Sequence, residues 1–246
     1  IKTISFQDRL TSYVYNNRIF CDCYFTCGNY FNKIFNKKYF YEKLIPIGLL
    51  RSNLIDRNLI IDDKFLYKID SLKKNRKIVS FILITTSNNK NYLYGEDGTS
   101  INSLNIIENL IINLANKLKN RIHILIKFKD SNFKYEEKFF NFEDKLSKLN
   151  NVEKVKNENI NSAHIISISD IVIGSQSTII EESLIKDKYT FIFDSENFAS
   201  TMGFYRYNKF YILESIDKVI NSVLLILNED KTYIDDYNRN KKFFVK

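Results

Sequence analysis

The strongest constraint on the fold is an alternation of short apolar runs with longer amphipathic stretches, which extends from Lys77 to Leu227. The run Lys77–Thr85 is apolar or β-branched almost throughout, which is typical of a strand buried on both faces. In the segment Ser100–Lys119, apolar residues recur instead at helical spacing. Strands that alternate with helices predict a mainly parallel sheet, because each parallel connection needs a crossover, which is usually a helix.

The same patterns place the individual elements. Strands are expected at Cys21–Thr26, Leu44–Ile47, Lys77–Thr85, Ile122–Phe128, Val152–Val155, Asp170–Gly174 and Tyr189–Phe193. Helices are expected near 30–35, 52–59, 100–119, 135–149, 160–167, 178–185 and 216–227. Residues 62–77 are charged and turn-like, so a boundary is expected there, between a domain ending in 1–62 and a second domain over 77–246. The predicted fold class is α/β, with a Rossmann-like parallel sheet and helices on both faces.

The amino-acid composition limits the class of protein to which the chain can belong. Of 246 residues, 44% are hydrophobic and 27% are charged, which fits a globular protein with a sizeable core and argues against disorder. No run approaches the ~20 uncharged apolar residues of a membrane span. The N-terminus has no apolar segment of the kind found in signal peptides. Because the chain begins with Ile1, we expect it to be a piece of a longer polypeptide.

The net charge of +8 has two interpretations. Lys, Asn, Ile, Tyr and Phe are abundant, and this skew is typical of AT-rich coding sequences, which raise Lys content without selection for a partner. A basic surface also favours anions such as nucleotides, phospholipid head groups or nucleic acid. No signature of a nucleic-acid-binding module accompanies the charge, so no nucleic-acid partner is predicted.

The sequence offers little for metal or redox chemistry. Cys21, Cys23 and Cys27 have C-x-C-x3-C spacing without a second Cys pair or a His cluster, so we expect reduced thiols in the core and no metal site. His123 is expected at the surface or edge of its strand, and His164 in a structural role on a short helix. Phosphate-loop, zinc-protease and D-x-D motifs are absent.

The segment Ile166–Asp194 places polar groups where a parallel sheet binds ligands. A predicted strand ends at Gly174, a polar cluster follows, and a helix then begins; the cluster is Ser175, Gln176, Ser177 and Thr178. Ligands of parallel sheets bind at the carboxyl ends of strands, and free N–H groups at a helix start attract phosphate. Gly174 would let a ligand approach closely. Glu182, one turn into the helix, can accept two hydrogen bonds from a ribose diol.

A purely structural explanation exists for the same pattern. Ser177 or Thr178 would cap the helix, and Glu181 would complete a capping box. Spacing alone does not decide between a phosphate site and a cap.

The segment resembles the donor-site signature of GT-B glycosyltransferases, S-D-x-V-I-x-x-x-S-T-x-x-x-E-A-L-x-x-G-K-P. Matching positions are Ser169, Asp170, Val172, Ile173, Ser177, Thr178, Glu182, Leu184 and Lys188. Ser183 replaces the usual Ala, Asp187 the Gly and Tyr189 the Pro. The resemblance implies that Ser177 and Thr178 contact the donor phosphates and that Glu182 binds the ribose, within a donor-phosphate site that also includes Gly174, Ser175 and Gln176.

Weaker resemblances follow in the same order along the chain. Asp22–Phe35 and Leu44–Ile55 are similar to segments of capsule, Kdo and CDP-glycerol transferases, and they imply that Gly48 and Arg51 reach an interdomain cleft. Ile124–Asp130 matches an "I-K-x-H-P" segment with Lys127 kept, which implies a phosphate-facing cation. Phe6–Ser12 resembles a "Q-H-G" segment, in which Gln7 matches but Asp8 and Arg9 do not.

The resemblance implies the C-terminal half of a GT-B enzyme, with the end of an acceptor-side domain in 1–62 and the nucleotide-sugar domain in 77–246. The implied activity is transfer of a sugar or related unit, from a CMP-, CDP- or UDP-linked donor, to a surface polysaccharide or lipid-linked acceptor. No cofactor or metal is expected. The implied location is the cytoplasm, with peripheral association at the inner membrane face. A sugar-nucleotide epimerase and a non-catalytic nucleotide-binding relative remain as alternatives.

Overall fold

A computed structural model describes residues 2–6, 20–27, 40–48, 62–83, 101–128, 144–155, 160–174, 178–195 and 209–245. Within these ranges the strands form two separate sheets, one of three strands and one of six, and every strand pairing in them is parallel. The expectation of parallel α/β architecture is therefore confirmed.

The three-stranded sheet has the order β1-β2-β3 and consists of β1 (Ile4–Phe6), β2 (Phe20–Thr26) and β3 (Phe40–Pro46). The strand predicted at Leu44–Ile47 thus begins four residues earlier. The three cysteines are free thiols, as expected, but only Cys27 is buried, whereas Cys21 and Cys23 are half-buried. The helices predicted near 30–35 and 52–59 lie outside the described residues.

The six-stranded sheet is built by strands that alternate with helices. Its elements are α1 (Asp63–Lys73), β4 (Lys77–Leu83), α2 (Ile101–Lys117), β5 (Ile122–Phe128), β6 (Val152–Lys154), α3 (Ser162–Ile168), β7 (Ile171–Gly174), α4 (Thr178–Ile185), β8 (Tyr189–Phe193), β9 (Ile212–Leu213), α5 (Ile216–Leu227) and α6 (Lys231–Val245). A 3-10 turn, Lys209–Tyr211, precedes β9. Residues 144–147 are also helical, at the end of the predicted segment 135–149.

The strand order β6-β5-β4-β7-β8-β9 is that of a doubly wound Rossmann sheet. The chain lays down β4, β5 and β6 in one direction, then returns and adds β7, β8 and β9 on the other side of β4. Because crossovers are right-handed, α2 and α4 lie on opposite faces of the sheet. The point at which the order reverses lies between β4 and β7, and it is there that such sheets bind ligands.

Side-chain contacts assign the other helices to these faces. The face that carries α4 also packs α3, through a contact of 2.6 Å between the hydroxyl oxygens of Ser80 and Ser169. On the opposite face, the ring of Tyr237 in α6 packs against Tyr189 and Phe191, with ring centroids 5.1 and 5.8 Å apart. The sheet core between these layers is apolar, and Val79, Ile124 and Ile171, one residue from each of three adjacent strands, are fully buried.

Most of the charged segment 62–77 is a helix, Asp63–Lys73, rather than the predicted turn. Asp62 caps α1 by accepting a 3.0 Å hydrogen bond from the backbone N–H of Lys64. Phe65 and Ile69, one turn apart, supply the buried stripe, whereas Asp63, Lys64, Asp70 and Lys73 are exposed. Two buried positions in eleven are too sparse a pattern to identify from composition.

His123 is buried, not at an edge or on the surface as predicted, because β5 lies between β4 and β6. Its Nε2 atom lies 3.4 Å from the Glu153 carboxylate, which also accepts a 2.7 Å hydrogen bond from Lys68 of α1. Hydrogen bonds from His123 and Lys68 hold the pKa of Glu153 below its usual value, against the opposing effect of burial. The cluster ties α1 to the β5–β6 edge of the sheet.

The last predicted helix ends at Leu227, but a further helix, α6, follows it and packs on the sheet. Within the described residues, no helix has the length and apolarity needed to cross a membrane.

Candidate donor site

The predicted site residues of β5 and β7 meet in one row of the sheet. Lys127 pairs in register with Ile82 of β4, and Ile82 pairs with Gly174 of β7. Residues in register on parallel strands share a face, and two strand spacings separate the outer members by ~10 Å. Lys127 and Gly174 therefore lie on the same face at the carboxyl end of the sheet, on either side of the β4–β7 switch point.

Gly174 is required by packing in this row. A Cβ atom at this position would lie 2.5 Å from the backbone oxygen of Ile82 and 2.8 Å from Cδ1 of Ile180 in α4. Its φ is not in the left-handed region. The glycine therefore allows close approach of β4 and α4, and the direction of its missing side chain shows that α4 covers this part of the row.

Helix α4 starts at Thr178, four residues after the end of β7. Its N-terminus therefore lies at the carboxyl edge of the sheet, the arrangement in which unpaired N–H groups and the helix dipole attract an anion. Glu182, one turn further on, is buried, with 7% of its surface exposed. Ser175, Gln176 and Ser177, which connect the strand to the helix, lie outside the described residues.

Lys127 is a buried cation beside this edge. It is 5% exposed, and its Nζ donates a 3.0 Å hydrogen bond to the carbonyl of Ile160. Ile160 precedes Asn161, whose side chain caps α3 by accepting from the backbone N–H of His164. Burial lowers the pKa of the Lys127 amine. An anion bound nearby would oppose this effect, because it stabilises the charged form.

The amino-terminal half of the signature joins strands and helices rather than facing a ligand. The Ser169 hydroxyl donates to the carbonyl of Ile165. The Asp170 carboxylate accepts a 2.8 Å hydrogen bond from the backbone N–H of Ile78, at the start of β4. These bonds lie at the amino end of β7, opposite the end at which α4 begins. This half of the motif therefore positions β7 against β4 and α3.

The substitutions in the signature have local explanations. Ser183, in place of Ala, lies 3.0 Å from the Thr190 hydroxyl and donates a 2.8 Å hydrogen bond to the carbonyl of Ile180. Asp187, in place of Gly, has φ +60°, a left-handed conformation that Asp tolerates better than most residues. It also forms an ion pair with Lys241 of α6.

Tyr189 replaces the Pro of the signature and uses two groups that Pro lacks. Its backbone N–H donates a 3.2 Å hydrogen bond to the carbonyl of Asp170, and its ring packs on Tyr237. The departures from the pattern thus lie at the amino end of β8 and in its contact with α6.

Gly48, predicted to face a cleft, follows β3 in the three-stranded sheet with φ +82°, and a Cβ there would meet nothing within 4 Å. Arg51 lies outside the described residues. Asp22 of the weaker motif receives a 2.8 Å hydrogen bond from the Thr3 hydroxyl and a second bond from the Thr3 backbone, and these bonds hold its pKa below the usual value. Its described contacts thus join β1 to β2.

His164 lies in the first turn of α3 and is buried, and its structural role stays a prediction. Asp194 was not predicted as a site residue. It is a second buried carboxylate at the carboxyl edge, directly after β8, and its backbone N–H donates a 3.0 Å hydrogen bond to the carbonyl of Leu213. The signal for it in the sequence is an acidic residue at the end of an apolar strand.

No protein-family model matches the sequence, and no curated protein matches it. Solved structures match by fold. A variant of the wall teichoic acid polymerase TagF, soaked with CDPG, aligns with 17% identity and a TM-score of 0.50, over 88% of this chain and 50% of that chain. The trehalose-6-phosphate synthase OtsA aligns with 12% identity and a TM-score of 0.49, over 85% of this chain and 49% of that chain.

The UDP-GlcNAc 2-epimerase of Methanocaldococcus jannaschii, in complex with UDP-GlcNAc and UDP, aligns with 13% identity and a TM-score of 0.45, over 76% of this chain and 48% of that chain. This chain therefore spans about half the length of each of these proteins. The parallel sheets flanked by helices define an α/β Rossmann-like fold, and the likeness to the TagF variant is a likeness of fold.

Proposed function

We propose that the chain is the nucleotide-binding part of a GT-B-type glycosyltransferase. It takes a sugar or related unit from a CMP-, CDP- or UDP-linked donor and transfers it to a surface polysaccharide or lipid-linked acceptor. The observation that carries the proposal is the position of Gly174–Glu182. The segment joins β7 to α4 at the switch point of a doubly wound sheet, and Lys127 lies two strands away on the same face.

Each part of the site has a role in this proposal. The N-terminus of α4, with Ser177 and Thr178, binds the donor phosphates, together with Ser175 and Gln176. The Lys127 amine and the helix dipole offset the negative charge that develops on the leaving phosphate as its bond to the sugar breaks. Glu182 accepts hydrogen bonds from the ribose hydroxyls. The site acts in the cytoplasm, at the inner face of the membrane.

Calorimetric titration with four ligands tests these roles: CDP, its 2′-deoxy analogue, cytidine and CMP. Thr178→Val should weaken binding of CDP by ~1–2 kcal/mol, the value of one hydrogen bond to a charged group, and should hardly affect cytidine. Glu182→Gln should weaken binding of CDP more than that of the 2′-deoxy analogue, because only the ribonucleotide offers the full diol.

Ser215→Ala is a matched control, because Ser215 caps α5 by accepting a 3.3 Å hydrogen bond from the backbone N–H of Lys218. It should lower the thermal midpoint, as loss of a cap does, and leave nucleotide affinity unchanged. If Thr178→Val behaves in the same way, or if all four ligands weaken equally, α4 has only a structural cap. Tight and steeply salt-dependent binding of single-stranded DNA, without stabilisation by nucleotides, would instead support a nucleic-acid-binding protein.

A further inference from the structure

The six-stranded sheet has a second distinctive edge, at the amino ends of its strands. The turns there comprise residues 73–77, 117–121, 147–151, 169–170, 186–188 and 228–230, which we call the amino-edge surface. They contain ten basic residues: Lys73, Lys74, Arg76, Lys77, Lys117, Lys119, Arg121, Lys148, Lys186 and Lys188. The four acidic residues are Asp170, Asp187, Glu229 and Asp230. The net charge of these turns is +6, out of +8 for the whole chain.

Hydrogen bonds join several of these turns into one surface. The backbone N–H of Lys77 donates to the carbonyl of Arg121 over 2.9 Å. The Arg121 guanidinium donates to the carbonyl of Leu227 over 2.8 Å and to the Asn228 side chain over 2.9 Å. Burial lowers the pKa of Lys188, and the charge of Lys73 lowers it further, which indicates that these two turns also lie within electrostatic reach.

Some of these basic side chains make contacts within the fold. Lys77 lies 3.4 Å from the Asp170 carboxylate, and Lys188 donates a 3.0 Å hydrogen bond to the carbonyl of Ser167. Lys74, Lys117 and Lys119 differ, because they are exposed and their side chains make no hydrogen bond or ion pair within the described part of the chain. Lys117 lies in the last turn of α2, where a cation also complements the helix dipole, but Lys74 and Lys119 lie beyond the helix ends.

We propose that the amino-edge surface docks the protein on an anionic phospholipid bilayer. Its cations extend along the sheet and also across it, since α1 and α2, which end at Lys73 and Lys117, lie on opposite faces. Glu153 contacts both Lys68 of α1 and His123, and His123 lies on the Lys127 face of β5, which carries α4 and lies opposite α2. Such a two-dimensional array matches a plane of headgroups better than a single line of phosphates. The described turns contain no aromatic side chain on which an unpaired base could stack. Each Lys or Arg near such a membrane contributes favourably to binding, and the attraction is screened by salt.

The proposal deepens the location at the inner membrane face that belongs to the proposed function, since it names the contacting surface, but it does not depend on nucleotide binding. The candidate donor site lies at the carboxyl ends of the strands, and seven-residue strands such as β4 separate the two edges by ~20 Å. Docking through the amino edge would leave the opposite edge open to a donor.

Sedimentation with vesicles tests the proposal. The vesicles contain about 30% phosphatidylglycerol in phosphatidylcholine, against phosphatidylcholine alone, over roughly 0.05–0.3 M salt. The variant Lys74→Gln/Lys117→Gln/Lys119→Gln removes three exposed charges and should bind the anionic vesicles about 100-fold more weakly. The matched control, Lys64→Gln/Lys218→Gln/Arg239→Gln, removes the same charge in the first turns of α1 and α5 and within α6. It should bind within a few-fold of the unsubstituted chain.

Each outcome decides the matter. Equal binding by the two triple variants, or no binding of anionic vesicles by the unsubstituted chain, would overturn the proposal. Preference of the unsubstituted chain for DNA over vesicles at the same salt would also overturn it and assign the surface to nucleic acid. A lowered thermal midpoint in the edge variant with vesicle binding retained would show that the three lysines serve helix ends only. Titration of both variants with CDP separates this result from the donor-site proposal, since neither variant changes that site.

Discussion

At the scale of single residues, Gly174 shows how a position in a ligand motif can be determined by the backbone. The carbonyl of Ile82 and the side chain of Ile180 occupy the space into which a Cβ atom would project. The backbone oxygen cannot rotate away, because β4 is paired on both sides. The sequence indicated a glycine at a strand end, but it could not distinguish close packing of a helix from close approach of a ligand.

Gly174→Ala should therefore destabilise the protein by about 1–3 kcal/mol, the range for overpacking a core. Urea unfolding measures the change. Gly48→Ala serves as the control, because no atom lies within 4 Å of its Cβ position and only the positive φ opposes the substitution. Its effect should be about 1 kcal/mol. Unchanged stability of Gly174→Ala would mean that β4 and α4 lie farther from β7 than the structure places them.

Under the proposed function, nucleotide binding is expected to be accompanied by proton uptake at Lys127. Its pKa is below the ordinary 10.5 in the folded protein, so in the window between the lowered pKa and 10.5 the unfolded chain binds more protons. Its contribution to stability therefore increases as the pH rises through that window. A bound phosphate would raise the pKa again, because it stabilises the charged amine. The amine would then take up protons from solution as the nucleotide binds.

Calorimetry at about pH 9–10, in two buffers that differ in ionisation enthalpy, measures this uptake, and nucleotide phosphates are already fully ionised there. Uptake should be present in the unsubstituted chain and absent in Lys127→Met. Equal uptake by the two proteins would show that Lys127 does not respond to the phosphates, and that its bond to the Ile160 carbonyl is its main role.

At the scale of elements, Tyr237 makes the buried contacts that hold α6, the last described helix, against the sheet. The Tyr237 hydroxyl accepts a 2.6 Å hydrogen bond from the backbone N–H of Thr190 and donates a 3.1 Å bond to the carbonyl of Lys188. Its ring packs edge-on against Tyr211, with centroids 5.2 Å apart. Burial raises the pKa of Tyr237, so the hydroxyl stays protonated and can donate.

Tyr237→Phe should destabilise the protein by ~1–3 kcal/mol, because the buried N–H of Thr190 loses this partner. Tyr67→Phe is the control: its side chain is exposed on α1, and its loss should change stability by less than ~0.5 kcal/mol. The difference between the two midpoints in urea measures the contribution of the hydroxyl. Similar midpoints for both variants would mean that α6 is held by ring packing alone.

The elements that the sequence predicted well are those with continuous apolar runs. The bounds of β5, β8, α4 and α5 agree with the predictions residue by residue. Helix α6 was missed because its core contacts come from a few aromatic residues in a polar segment, which carry little periodic signal. The short strand predicted at Val152–Val155 is β6, Val152–Lys154. Strand β9 was not predicted, because it has two residues and is defined by its pairing with β8, a tertiary property that no local pattern contains.

At the scale of the whole molecule, the alternation of strands and helices was sufficient to predict the parallel sheet with helices on both faces. The strand order was not predicted, because it depends on which strands pair, and the pairings join residues far apart in the chain. The three-stranded sheet was less predictable, because the residues between its strands carry no clear pattern. The proposed activity lies beyond these arguments, since the likeness to the TagF variant, at 17% identity, shows the fold alone.

The strand order also has a consequence for synthesis on the ribosome. Val79 of β4 pairs with Ile171 of β7, its neighbour across the switch point, and more than ninety residues separate the two in the chain. A nascent chain that has folded β4, β5 and β6 therefore presents one long edge of β4 with unpaired N–H and C=O groups until β7 emerges. Such edges pair readily with other chains, and contacts of this sequence separation form slowly. During translation, this edge of β4 is thus an aggregation-prone surface within the described part of the chain, and it later adjoins the candidate donor site.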